Sequence, residues 1–401
     1  MSAAAPKSGP GPREFVALMA LLISLVALSI DAMLPALPQI GTDLGVAERN
    51  HYQLVISVLF LGMAIGQLLY GPVSDSTGRK PAIYAGLAVF LLGCVLSVFA
   101  TSFAVMLAGR FLQGLGAAGP RIVVVALVRD QHAGRAMARI MSFVMAVFIL
   151  VPALAPALGQ AILALAHWRA IFASFLALAV IAFAWFALRQ PETLPRERRR
   201  PLRLGSIAAA VVETCRNRRA FGYTLAVGLI FGAFVGYLTS AQQVFQDHYG
   251  VGELFPAYFA VLALSIGGAS LVNGRLVMRF GMRTLSRLAL WGASGLSAVF
   301  LAVTVATAGH PPFWAFMTFF VAAFFCIGIL FGNFNALAME PMGHIAGVAA
   351  AVIGSLATVI SLALGTVIGQ AYDGTVLPLV LGFAAVGPAA LAVQWWTERG
   401  P

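Results

Sequence analysis

Three charged side chains, Asp31, Arg110 and Arg121, lie inside long apolar stretches of the chain. A charge in hydrocarbon is costly, so it is retained where it faces protein or a water-filled cavity, and it marks a site for ions, protons or ligand. Asp31 is expected near the outer end of the first apolar run, roughly six residues or 9 Å in at 1.5 Å per residue, and Arg110 at similar depth in the fourth. Pairing them, directly or through water, would offset much of their desolvation. Such a carboxyl is pulled in opposite directions by burial and by the guanidinium, so it can take and release a proton; a permanent structural ion pair is the plainer use of the same residues. Arg121 follows Arg110 by nearly three full turns at about 100° per residue, which places both on one helix face with Gln113, Gly114 and Ala117.

The elements that must position these groups follow from composition. Of 401 residues, 61% are hydrophobic and 10% charged. A soluble chain of this length would carry about a quarter charged residues. Apolar runs recur at 15–37, 53–72, 81–100, 103–128, 139–163, 168–188, 220–243, 255–274, 284–306, 313–336, 346–371 and 376–396. Each spans a bilayer as a helix of about 20 residues. The runs do not alternate in polarity, which excludes a β-barrel. The fold class is all-α and polytopic, with twelve transmembrane helices. The net charge of +11 does not point to nucleic acid, because 21 of the 25 cations fall in the tails and connections of one side or in the run ends that border them. That is the positive-inside pattern of a multi-pass plasma-membrane protein with both termini cytoplasmic. The division expected is a cytoplasmic tail at 1–14, six helices over 15–188, a basic cytoplasmic linker at 189–219, six helices over 220–396 and a tail at 397–401. The linker serves as a positive-inside stop, and its arginines could also meet anionic lipid headgroups.

The intramembrane polar residues of the second half are neutral. Tyr237 and Gln242 of the seventh run and Asn333 of the tenth are candidates to line a cavity with the aromatics Phe60 and Phe334. Taken singly, each such residue is more often interhelical glue. Three cysteines, Cys94, Cys215 and Cys326, form neither a metal site nor a disulfide framework. The six histidines fall in connections or at helix ends. No phosphate-binding loop, metal spacing or nucleophile elbow is present. An enzyme is excluded, no metal or cofactor is expected, and pumping must draw on an ion gradient.

One short stretch, Gly71-Pro-Val-Ser-Asp75-Ser-Thr-Gly78-Arg79-Lys80, turns the chain sharply between runs two and three. A weaker copy follows run eight, where Gly274, Gly281 and Arg283 repeat the pattern and Met278 stands in the place of Asp75. The halves therefore read as a parallel duplication. In run five, Pro152, Pro156 and Gly159 share one face and make a bent helix with a smooth surface for close packing.

On these residues the chain resembles the major facilitator superfamily, whose turn signature Gly71–Lys80 matches. Arg110-Phe-Leu-Gln113-Gly114 resembles the fourth-helix signature of its proton-coupled antiporters, and Pro152–Gly159 occupies the fifth-helix antiporter position. Asp31–Pro38, Val128-Arg129-Asp130, His167–Phe172 and Gly347–Gly354 look like the Bcr/CflA-type multidrug exporters. The resemblance implies two pseudo-repeated six-helix bundles and drug:proton antiport by alternating access, in a bacterial inner membrane and as a monomer. Its partners would be small molecules, protons and the lipid bilayer. It further implies that Asp31 carries the proton or a cationic drug and that Arg110 couples the two. Asp75, with basic-end arginines such as Arg129 and the turn residues Gly71, Gly78, Arg79 and Lys80, would latch the halves. Ile23 stands where some relatives have a second acid. An importer or exporter of a metabolite or organic anion, with Arg110 as counter-ion, and a non-transporting sensor are the alternatives. If the turn is a latch, Asp75→Asn should slow transport in proteoliposomes while substrate binding survives; unchanged turnover would leave it a topological turn.

Overall fold

Backbone N–H and C=O groups have no water to pair with in lipid, so each apolar run closes its hydrogen bonds internally as a helix. The computed structural model describes residues 9–199, 201–202 and 204–399, and among these no strand occurs. The long helices are α1 Pro12–Asp31, α2 Leu54–Thr77, α3 Arg79–Val98, α4 Phe103–Gln131, α5 Gly134–Leu165 and α6 Arg169–Arg189. After the linker come α7 Arg218–Gln242, α8 Phe255–Phe280, α9 Met282–Ala306, α10 Phe313–Met339, α11 Ala346–Gln370 and α12 Leu377–Glu398. The last pair of the tenth and eleventh runs is nearly continuous, 58 residues from Phe313 to Gln370. At roughly 87 Å that exceeds a bilayer of about 30 Å, and the chain breaks at Met342 (φ −104°, ψ 17°), so it crosses twice. The twelve crossings fall into two six-helix bundles. The tail expected at 1–14 lies outside the described residues up to position 8.

The first crossing differs from expectation. α1 stops at Asp31, and the chain continues through a 3₁₀ turn, Leu34–Ala36, into a short helix, Leu37–Asp43. Pro35 accounts for the break. Its ring would collide with the carbonyl four residues back, that of Asp31, and it has no N–H to give. The crossing is therefore longer than the apolar run, and Asp31 sits about 18 Å of helix from its far end at Asp43, not about 9 Å. α7 also ends irregularly, in a π-helical turn at Gln243–His248.

Small residues set how closely the helices approach. α4 is pressed between α2 and α3. A Cβ on Gly62 or Gly114 would strike the carbonyls of Phe111 or Leu59, and one on Gly93 would lie 2.6 Å from the Gly109 carbonyl. In the second bundle Gly228, Gly232 and Gly236 recur every fourth position on α7, against Ile360, Leu364 and Ile368 of α11. The bundles meet along two seams, α2 with α11 and α5 with α8. At the second, Gly267 accommodates Ile149.

The two turn copies share a conformation. Gly78 (φ 113°, ψ 162°) and Gly281 (φ 74°, ψ 156°) each end one helix and begin the next. Only glycine adopts that backbone without strain. Gly62→Leu should lower the melting temperature in detergent, at an overpacking cost of about 1–3 kcal/mol. Gly268→Leu is the control, because its Cβ meets nothing within 4 Å.

Candidate functional site

Arg110 is 0% exposed and is held by neutral groups on three helices. Its Nε donates to the Val55 carbonyl on α2 (3.0 Å), Nη2 to the Ser29 carbonyl on α1 (2.7 Å) and Nη1 to Gln113 Oε1 (2.5 Å). Its guanidinium also lies over Phe172 of α6, 5.7 Å from the ring centre. Gln113 passes the connection on to α3 through the Gly93 carbonyl (3.2 Å) and Ser97 Oγ (3.0 Å). The expected Asp31–Arg110 ion pair is absent among the described residues. Three of the five donors of Arg110 go to carbonyls and an amide, which fix its planar fork toward α2, α1 and Gln113 and not toward the acid. Gln113 likewise faces α3, not a cavity.

Asp31 is 5% exposed and accepts no hydrogen bond from the described residues. Its surroundings come from both bundles. Ala32, its neighbour, presses its carbonyl against Gly159 of α5, where any side chain would collide. Ala155 and Pro156 are buried on the same side of α5, and the helix runs unbroken through Pro152 and Pro156. Across the bundle junction, the 3₁₀ turn that follows Asp31 packs against α7, the helix that carries Tyr237. The Tyr237 hydroxyl is buried with no hydrogen-bond partner among the described residues. Its ring stands edge-on to Phe324 (4.8 Å between centres) and against Phe320 (5.6 Å). Phe60 of α2 meets Phe231 of α7 at 6.2 Å, and Phe231 meets Phe331 of α10 at 5.5 Å. An acid and a phenol, both buried and both without partners, thus share an aromatic-walled junction between the halves.

The other candidates lie apart from this junction. Gln242 bonds Gln246 in the π-helical turn (3.0 Å). Asn333 and Asn273 exchange two 3.0 Å hydrogen bonds between α10 and α8. Phe334 packs inside the second bundle on Tyr223 (5.6 Å). Arg121 is half-buried on α4 with no ion pair or hydrogen bond among the described residues.

The α2–α11 seam is polar along its length, and most of it escaped the sequence. At the end far from the linker, Gln53 donates to Gln243 Oε1 (2.5 Å) and to the Gly369 carbonyl (2.9 Å). Asn50 bridges the carbonyls of Gln370 (3.0 Å) and Tyr372 (2.7 Å). Further in, Ser57 receives Thr366 (3.1 Å), Ser355 donates to the Ala64 carbonyl (2.7 Å) and Gln67 to Thr358 (3.1 Å). At the linker end, a Cβ on Gly71 would sit 3.4 Å from Ala351, and one on Gly347 would lie 3.8 Å from Asp75 Oδ2. Gln53 and Gln67 lie within the second run and Asn50 in the connection before it, and nothing in their spacing marked them out.

At that end Asp75 pairs with Arg79 (2.5 Å), which also holds Asp130 (2.8 Å) and Ser74 (2.9 Å). Arg129 makes no such pair with Asp75, although both border one cavity. Lys80 donates to the carbonyls of Ala187 (2.9 Å) and Gln190 (2.7 Å) at the end of α6, where a cation complements the helix dipole. Glu192 of the linker accepts from the backbone N–H of Arg79 (2.9 Å) and Lys80 (3.0 Å), capping α3. Its carboxylate fills the space a Cβ on Gly78 would need.

A family model described as Major Facilitator Superfamily matches residues 19–397. The chain belongs to the major facilitator superfamily. It is 32% identical over 355 residues to the MFS-type transporter YdgK of Bacillus subtilis (88% of this chain, 87% of that one). It is 31% identical over 390 residues to a bicyclomycin resistance protein homolog of Haemophilus influenzae (96% of each), and 30% identical to a chloramphenicol resistance protein of Pseudomonas aeruginosa (86% and 81%). These relatives bear out the resemblance to Bcr/CflA-type exporters. Two solved structures share the fold at TM-score 0.73, each over 97% of this chain. They are the human organic anion transporter MFSD10 (18% identity, 100% of its chain) and the xylose transporter XylE of E. coli in a partially occluded inward open conformation (12%, 98%). This superfamily member is a membrane transporter for small molecules, not an enzyme. In it, Arg110→Lys should destabilise although it keeps the charge, because an ammonium cannot reproduce the fork. Each buried acceptor left unpaired costs about 1–3 kcal/mol, to be read as a lower melting temperature in detergent.

Proposed function

We propose that this transporter exports small amphipathic compounds in exchange for protons, by alternating access, with its arginine-rich end in the cytoplasm of a bacterial cell. The observation that carries the proposal is the unpaired Asp31 at the bundle junction, where the turn after it meets the helix of the unpaired Tyr237. A buried carboxyl committed to no permanent counter-ion is free to bind a proton in one step and a ligand's cationic or hydrogen-bonding group in the next. Aromatic walls from Phe60 to Phe324 supply the apolar surface for the rest of the molecule. Arg110 acts through geometry: it fixes α1, α2 and α4 so that the break after Asp31 stays in place. Gly159, abutting the break, transmits a movement of α5 to it, and α5 also forms the seam with α8. The resistance named for two relatives suggests bicyclomycin and chloramphenicol as first probes. The positive-inside distribution supports the orientation.

Arg121 favours a second reading, a proton-coupled carrier of organic anions, since it is a cation without a counter-charge among the described residues.

In proteoliposomes with an imposed pH gradient, chloramphenicol movement should follow the gradient in the wild type and fall to background in Asp31→Asn. Gradient-driven transport that survives Asp31→Asn would remove the proton-carrier role. Loss of transport of an anionic probe in Arg121→Gln, with chloramphenicol unaffected in both proteins, would favour the second reading.

A further inference from the structure

The linker end holds a cavity of about 550 Å³ that plays no part in the proton chemistry. Three parts of the chain build it. The first bundle contributes Asp75, Arg79 and Arg129, the linker contributes Arg198, and the second bundle contributes the corner from His344 to Val348 where α11 begins. Two of the cationic groups are already engaged. Arg79 is held by Asp75 and Asp130, and His344 Nε2 lies 2.6 Å from Glu213 Oε1. Arg129 and Arg198 have no acidic partner among the described residues. Asp75, the only acid among the described residues of the wall, is tied to Arg79. The cavity therefore presents two free guanidinium groups. Opposite them stands the start of α11, whose N-cap residue, Ile345, supplies no side-chain acceptor to the first N–H groups.

We propose that this cavity binds a phosphate-type oxyanion, carried on a lipid headgroup or free in the cytoplasm, which clamps the two bundles together at this end. Guanidinium forks match phosphate oxygens two at a time, and a helix start adds N–H donors and the positive end of a dipole. The volume exceeds that of a bare phosphate and admits the polar group attached to it. The cytoplasmic leaflet is rich in anionic headgroups. Because Arg129 belongs to one half and α11 to the other, parting the halves at this end takes the site apart. An anion that binds the joined form alone shifts the equilibrium toward it. The site is separate from Asp31, so Asp31→Asn protein should bind the anion as the wild type does.

The test uses full-length protein in detergent. Its melting temperature is titrated with inorganic phosphate against chloride at matched ionic strength, and with phosphatidylglycerol against phosphatidylcholine in mixed micelles. The wild type should show a saturable rise. Arg129→Gln and Arg198→Gln should each weaken apparent binding about tenfold, the loss of one charge-assisted contact. Arg196→Gln, a linker arginine away from the cavity wall, should bind as the wild type does. A rise with phosphatidylglycerol alone identifies a lipid headgroup, and a rise with phosphate as well identifies the free anion as sufficient. Equal responses in the wild type and the Arg129→Gln/Arg198→Gln protein, or no response to either probe, overturn the proposal. A second measure leaves both arginines in place. Maleimide labelling of Val348→Cys in a Cys215→Ser background should slow several-fold when the effective probe is present, and labelling at an unchanged rate would also overturn it.

Discussion

The cost of leaving a polar group unpaired in hydrocarbon governs this molecule. Nearly every buried polar side chain is committed to a backbone carbonyl or to an amide on another helix, and these commitments hold the halves in shape. Arg110 is the clearest case. A guanidinium has donors and no acceptor, so it must find several oxygens at once, and it finds them on α1, α2 and Gln113. Among the described residues a few buried polar atoms have no such commitment, and two of these groups meet at the centre of the molecule. Asp31 and the Tyr237 hydroxyl are buried at the junction of the halves, where a ligand or a proton can supply what the protein does not.

Packing separates rigid interfaces from adjustable ones. Within each half, glycine faces bring backbones into direct contact, as between α2 and α4 or α7 and α11. Such contacts tolerate no sliding, since side chains of the partner fill the spaces where Cβ atoms would be. Between the halves, the α2–α11 seam is held by amide and hydroxyl side chains such as Gln53, Gln67 and Ser355. Hydrogen bonds of that kind in a membrane average about 0.6 kcal/mol and can be exchanged for others, which suits an interface that opens.

The turn Gly71–Lys80 gathers the linker end. Its charges do not reach across to the second half. Arg79 closes a network within the first half, Lys80 caps α6, and Glu192 caps α3 from the linker. Asp75 faces the start of α11, so its link to the second half runs through a helix terminus and not through a basic side chain such as Arg129. The second copy keeps the glycine geometry at Gly281 but places Met278 in the open, 87% exposed, where the first copy has its acid.

Local chemistry determined a great deal. Apolar runs of bilayer length, cations gathered on one side and the paired glycine turns made the twelve crossings and the duplicated plan legible, because each depends on residues close together in the chain. The break after Asp31 also has a local cause, Pro35, and its position follows from the reach of a proline ring. Partners far apart in sequence were another matter. That Arg110 would take carbonyls and leave Asp31 alone, that Glu192 would cap α3, and that Asn50 and Gln53 would bind α11 depended on helix rotation and register. Those are decided by how small residues let the helices approach. Helical periodicity says which side chains share a face, but only the packed tertiary structure decides what that face meets.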